Sequence, residues 1–84
     1  MELQRGQVVR SLAGHDQGDF QVVVAAAPPY AFVCDGKRRP LQRPKRKKQF
    51  HLAATGTILS EEALRTDRQI RSALRPFRER AGNM

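Results

Sequence analysis

Tyr30-Ala31-Phe32-Val33-Cys34-Asp35-Gly36 joins an apolar pentapeptide to an Asp-Gly pair. Aromatic and β-branched residues bounded by a turn dipeptide read as a strand. Apolar groups at both odd and even positions imply a strand covered on both faces. Asp-Gly directly after such a run is a strong local signal for a two-residue type I′ hairpin. The return strand is then expected over Lys37 to Leu41, pairing Lys37 with Cys34, Arg39 with Phe32 and Leu41 with Tyr30. Pro40 supplies no ladder N–H and confines that strand to a sheet edge.

Past this turn the chain becomes basic. Lys37, Arg38, Arg39, Arg43, Lys45, Arg46, Lys47 and Lys48 are 8 of the 16 basic residues, and no Asp or Glu occurs between Asp35 and Glu61. The net charge is +8, so this one run carries the whole excess. Pro44 biases Arg43 toward extended angles, and the consecutive cations Lys45 to Lys48 repel one another. Gln42 to Lys48 is therefore expected to be an extended, mobile loop. Alternation returns at Phe50-His51-Leu52, where the chain should re-enter the sheet, and Gly56-Thr57-Ile58-Leu59 suits a last short strand.

Upstream, Gly6-Gln7-Val8-Val9-Arg10-Ser11-Leu12 reads as a strand closed by Ala13-Gly14. His15 to Gly18 is a polar turn, and Gly14 and Gly18 are expected at backbone angles costly for a residue with a Cβ. Phe20 to Ala26 is a second strand, with Phe20, Val22 and Val24 on one face and Val23 on the other. Pro28-Pro29 ends it. Apolar groups on both faces make it a central strand.

Downstream, Ser60-Glu61-Glu62 suits a helix start, and Thr66-Asp67-Arg68-Gln69 matches a capping box. Ile70, Leu74 and Phe77, with Ala73 beside them, form an apolar stripe at helical spacing. Arg68, Arg71, Arg75 and Arg78 form a second stripe on a neighbouring face. Pro76 predicts a stop near Arg75 or a kink, and Arg80 to Met84 are expected to fray. Short strands, glycine turns and one helix describe a mainly β domain over residues 1–84. A small, partly open barrel spans about 4–59 and a C-terminal helical segment about 60–79.

Composition narrows the chemistry. Cys34 is the single cysteine, so no internal disulfide or cysteine-based zinc site can be assembled, and it reads as a small buried apolar residue. His15 and His51 have no metal-ligand spacing to it, so no metal is expected. His15, Asp16 and Asp19 share a turn that offers no enclosed pocket, and no phosphate-cradling glycine motif is present. Neither a catalytic site nor a cofactor is expected. No segment reaches the ~18–20 apolar residues of a membrane span, and Met1 to Gly6 lacks the order of a secretory signal. The expectation is a soluble, cytoplasmic protein. A pI near 11.1 at this size points to a polyanionic partner.

Gly6-Gln7-Val8-Val9, Gly14-His15-Asp16-Gln17-Gly18 and Val22-Val23-Val24 together resemble a KOW motif, with Gly18 at the place of the motif's characteristic glycine. The continuation is similar to KOW-type large-subunit ribosomal proteins of eukaryotes and archaea: Ala31-Phe32-Val33-Cys34-Asp35-Gly36, a basic stretch, then Phe50-His51-Leu52 and Thr55. The chain also resembles small ribosomal-protein-like KOW proteins of Gram-positive bacteria. The likeness covers roughly residues 4 to 75 and leaves the C-terminal helix unmatched. It implies an SH3-like barrel, RNA binding in a ribosomal context and no catalysis, with Gly14, Asp16 and Gly18 as the motif turn.

The candidate RNA-binding residues are thus Lys37, Arg38, Arg39, Arg43, Lys45, Arg46, Lys47 and Lys48. Basic charge binds phosphate by releasing counterions. Arginine adds planar, bidentate contact whereas lysine acts as a point charge, so the arginines should supply geometry and Lys45 to Lys48 plain affinity. The bland alternative is a solvated solubility tail. Arg68, Arg71, Arg75 and Arg78 are either a second phosphate contact or a solvated helix face. All five aromatics, Phe20, Tyr30, Phe32, Phe50 and Phe77, sit in apolar patterns and are expected in the core, which argues against a base-stacking binder. The competing reading is an SH3-like protein-interaction adaptor of the translation or transcription machinery; capture of partners that survives nuclease would favour it. An anionic lipid surface at Lys45 to Lys48 is the third and weakest reading.

Overall fold

The computed structural model describes residues 2–82. Five strands form one sheet: β1 (Gln7–Ser11), β2 (Phe20–Ala27), β3 (Tyr30–Cys34), β4 (Lys45–Lys48) and β5 (Leu52–Ile58). Their spatial order is β4-β3-β2-β1-β5, and every neighbouring pair is antiparallel. A 3₁₀ turn, Gln49–His51, runs from one edge strand to the other. The sheet thus curls into a small, partly open SH3-like barrel. A second 3₁₀ turn, Glu62–Leu64, leads into helix α1 (Asp67–Gly82).

β2 is central, as its two-faced apolar pattern requires. Val23 packs with Leu3, Val9, Ala31, Val33 and Leu52 on the inner face. Val22 packs with Val8, Cys34, Leu64, Ile70 and Leu74 on the outer face, where Phe20, Val24, Leu41, Leu59 and Phe77 close the margin. Ile70 and Leu74 are fully buried, and each stabilises the fold by about 1.5–3 kcal/mol through burial. The helix stripe is thus the floor of the outer core. Phe77 meets Phe20 at a ring distance of 5.5 Å. The Thr66 hydroxyl accepts the Gln69 backbone N–H at 3.1 Å, which fixes where α1 begins. Ser60 starts only the preceding 3₁₀ turn, and Gly56–Leu59 is not separate: Gly56 to Ile58 complete β5, which pairs with β1.

The segment after Cys34 reverses the expected arrangement. Lys37 to Leu41 is not a strand, and β3 pairs instead with Lys45–Lys48, matching Tyr30 with Lys48, Ala31 with Lys47, Phe32 with Arg46 and Val33 with Lys45. The cause lies in Asp35. One carboxylate oxygen accepts the backbone N–H groups of Lys37 and Arg39, both at 2.8 Å, and the Asp35 N–H donates to the Arg39 carbonyl at 3.0 Å. Those backbone groups are therefore spent within the loop. The loop then docks on α1: the Leu41 N–H donates to the Asp67 carboxylate at 2.8 Å, and Arg71 donates to the Gly36 carbonyl at 2.5 Å. Gly36 has φ +81°, and a Cβ there would collide with the Asp67 carbonyl oxygen. Lys45–Lys48 is not a mobile loop, because strand alternation sends Lys47 inward and separates it from its neighbours.

α1 runs through Pro76 to Gly82 rather than ending at Arg75, and Arg80 to Gly82 are helical; residues 83 and 84 lie outside the described range. Pro76 removes one helix bond, to the Ser72 carbonyl. Ser72 and Pro76 are both exposed, so water can serve that carbonyl. Phe77, packed on Phe20, fixes the turn that follows.

Candidate nucleic-acid interface

On β4, Lys45, Arg46 and Lys48 are exposed and Lys47 is buried. The Arg46 guanidinium lies 4.6 Å from the centre of the Tyr30 ring, and the Lys48 ammonium 5.8 Å from the centre of the Phe50 ring. Tyr30 stands opposite Lys48 across the β3–β4 pair, so these groups share one end of the sheet. Among the described residues the ion pairs are Arg5–Glu61, Arg38–Asp19 and Arg39–Asp16, and none involves β4.

Phe50 departs from the expected core position: it is 71% exposed. Phe50-His51-Leu52 does not enter the sheet as alternating strand. Gln49 to His51 form the 3₁₀ turn, and only Leu52 turns inward. The turn is held on three sides. The Gln49 N–H donates to the Pro29 carbonyl at 2.8 Å, the Gln49 side-chain amide to the Tyr30 carbonyl at 2.9 Å, and the Leu12 N–H to the His51 carbonyl at 2.8 Å. The Phe50 and His51 rings lie 4.3 Å apart. The readable signal is that Phe50 has only polar residues on its N-terminal side, from Gln42 through Gln49 apart from Pro44.

Lys47 points into the barrel. Its ammonium donates to the Ser11 hydroxyl and, at 2.8 Å, to the Ala13 carbonyl. Burial pushes its pKa down, with Lys45 and Arg39 acting in the same direction against the attraction of Asp16. Arg39 is also turned inward, giving both its Nε and Nη2 to the carboxylate of Asp16. Asp16 is buried and also accepts the side-chain amide of Gln21 at 3.2 Å. Burial opposes its ionisation, but Arg39, Gln21 and the nearby Lys47 together hold its pKa below the ordinary value.

The eight basic candidates therefore divide. Lys37, Arg38, Arg43, Lys45, Arg46 and Lys48 reach solvent, whereas Arg39 and Lys47 tie the barrel together. Arg38 makes a long, exposed pair with Asp19 at 3.7 Å. The helix stripe divides as well. Arg71 and Arg78 donate to the Gly36 and Asp35 carbonyls, while Arg68 and Arg75 are exposed. The turn after β1 has the glycine backbone angles its sequence predicts, with Gly14 at φ +84° and Gly18 at +90°. Its Asp16 is the anchor for Arg39 rather than a ligand group.

Cys34 is buried, and burial, with Asp67 and Asp35 nearby, pushes its thiol up to about 11. It stays protonated and packs as an apolar residue. Among the described residues no group of three or more His, Cys, Asp or Glu is placed to hold a metal ion, and no helix is long and apolar enough to cross a membrane. No protein-family model matches the chain, and the curated proteins contain no significant match to it.

Proposed function

We propose that this protein is a non-enzymatic, KOW-type RNA-binding module that works in a ribosomal setting in the cytoplasm, with ribosomal RNA as its partner and ribosomal proteins as neighbours. The observation that carries this reading is the β4 edge. Lys45, Arg46 and Lys48 stand exposed on a strand fixed by four register pairs to β3, with no carboxylate paired to them among the described residues. A cationic row held in place loses less conformational entropy on binding phosphate than a mobile tail would. Lys37, Arg38 and Arg43 extend the positive surface along the docked loop. A-form grooves are bound through shape and backbone, and bulges and loops offer further footholds to such a surface.

The test is the salt dependence of binding to a structured ribosomal RNA fragment. With six exposed cations engaged, affinity should fall about 10³-fold between 50 and 200 mM monovalent salt. An affinity that hardly changes over that range would sink the reading. Crosslinking in cells followed by sequencing of the attached RNA tests the ribosomal setting, which requires ribosomal RNA to dominate over transfer and messenger RNA.

A further inference from the structure

We propose that Phe50, in the turn that follows β4, is a stacking site for unpaired nucleobases, so that the RNA held by this face presents single-stranded bases next to the phosphates bound by Lys48 and by Arg46, which itself lies over Tyr30 of β3. This deepens the RNA-binding reading and rests on it.

Three observations converge. First, among the described residues Phe50 is the most exposed of the large apolar side chains, at 71% against 50% for Leu12 and 47% for Ile58. The ring is not on a loose loop, because bonds to Pro29, Tyr30 and Leu12 fix the turn that carries it. A preset aromatic surface loses little freedom when a base lies on it.

Second, aromatics and cations alternate along this edge. Arg46 lies over Tyr30 at 4.6 Å and Lys48 over Phe50 at 5.8 Å. Arg46 and Lys48 are two positions apart on one strand, hence about 6.6 Å apart along it. A single strand laid along β4 can set a base on the open face of Phe50 and phosphates by Lys48 and by Arg46, whose guanidinium already covers Tyr30. That combination is how sequence-tolerant single-strand binders gain affinity.

Third, α1 leaves this part of the sheet uncovered. The outer core under the helix comprises Val8, Val22 and Cys34, near the opposite end of β3 from Tyr30. The His51 ring and the Lys48 ammonium flank the Phe50 ring, so an apolar centre has a cation at its margin. Such a surface complements a ligand that is itself aromatic and anionic. A continuous duplex does not fit it, since its base faces are covered by stacking and only its backbone and groove edges are free.

The chain contains no tryptophan, so Phe50→Trp places a sole indole reporter at the site. Titrate Phe50→Trp with a labelled twelve-nucleotide oligoadenylate and with a blunt RNA duplex of the same length. Oligoadenylate should quench the indole as it binds, and the duplex should bind, followed by its own label, without that quench. In parallel, Phe50→Ala should weaken oligoadenylate binding about 5- to 150-fold and duplex binding less than about twofold, with Phe50→Leu no better than Ala. Circular dichroism checks that the variants fold, as the exposure of Phe50 requires. If oligoadenylate binds without quenching, or Phe50→Ala weakens both ligands equally or neither, the stacking site is overturned while RNA binding stands. If the wild-type protein binds neither RNA, the underlying reading falls as well.

Discussion

Arg39 and Asp16, 23 positions apart in sequence, meet through two parallel bonds of 3.2 Å, Nε to Oδ2 and Nη2 to Oδ1. The fork of the guanidinium matches the carboxylate, which is the geometry that makes such a pair directional as well as attractive. The pair joins the glycine-bracketed turn after β1 to the basic loop after β3. The loop is therefore positioned from two sides, by Asp16 at Arg39 and by Asp67 at Leu41.

Replacing Arg39 with Ala should destabilise the protein by about 3 kcal/mol, because it leaves a buried carboxylate without its main partner. Arg39→Lys should recover only part of that, having no fork. Asp16→Asn in the Arg39→Ala background should restore some stability by removing the uncompensated charge. Urea midpoints at pH 7 measure all three.

Acid should act through the same pair. The folded pKa of Asp16 lies below its ordinary value, so its contribution is fully present above the unfolded pKa of about 3.9. It is lost as pH falls through the lower folded value. The stability gap between wild type and Asp16→Asn should therefore close below about pH 3.9 and be constant from there to neutrality. Lys47 behaves oppositely at the alkaline end. Its folded pKa is lowered, so the unfolded chain holds the proton more tightly, and wild type should gain stability relative to Lys47→Met as pH rises toward about 10.4.

The four cations of β4 should not be equivalent in RNA binding. Single changes of Lys45, Arg46 or Lys48 to Gln should each lower the salt slope by about 1 and weaken binding to every RNA tested. Lys47→Gln should leave the slope almost unchanged and shift the denaturation midpoint, since its ammonium is turned to Ser11 and Ala13. Filter binding at a series of salt concentrations separates the two classes. Equal loss of slope at all four would contradict the inward placement of Lys47.

Pro76 offers a gain. Pro76→Ala restores the N–H that can serve the Ser72 carbonyl, in a helix that is already formed on both sides of the site. The variant should be more stable by up to about 3 kcal/mol, the difference between Ala and Pro in a helix interior, and should show a higher thermal midpoint with unchanged RNA affinity.

The sequence was most legible where hydrophobic period and turn chemistry agreed. β1, β2 and β3, the glycines of the first turn, the Thr66 cap and the Ile70/Leu74/Phe77 stripe follow directly from such patterns. It misled where one residue could serve two local structures. Asp35-Gly36 is as good a hairpin signal as it is a side-chain-capped loop, and the choice was made by Asp67 and Arg71, more than 30 positions away. Charge repulsion over Lys45–Lys48 was overrated because exposed cations are screened and strand geometry alternates them. The basic run was visible as a whole, but the inward turn of Arg39 and Lys47 depends on Asp16 and Ser11, which no local pattern links to them. Phe50 was hidden by a neighbouring Leu52 that does enter the core.

β4 is an edge strand, and one side of its backbone has no partner in the sheet. Exposed edges of this kind recruit other strands and seed aggregation unless something prevents it. Here the guard is the strand's own composition. A second copy approaching edge to edge would bring Lys45, Arg46, Lys47 and Lys48 against the same four charges, with one lysine already buried on each side. The row of cations that would draw a polyanion therefore also keeps copies of the protein apart at this edge, where their backbones could otherwise join. A bound polyanion would neutralise that row, but it would at the same time lie across the edge it had disarmed.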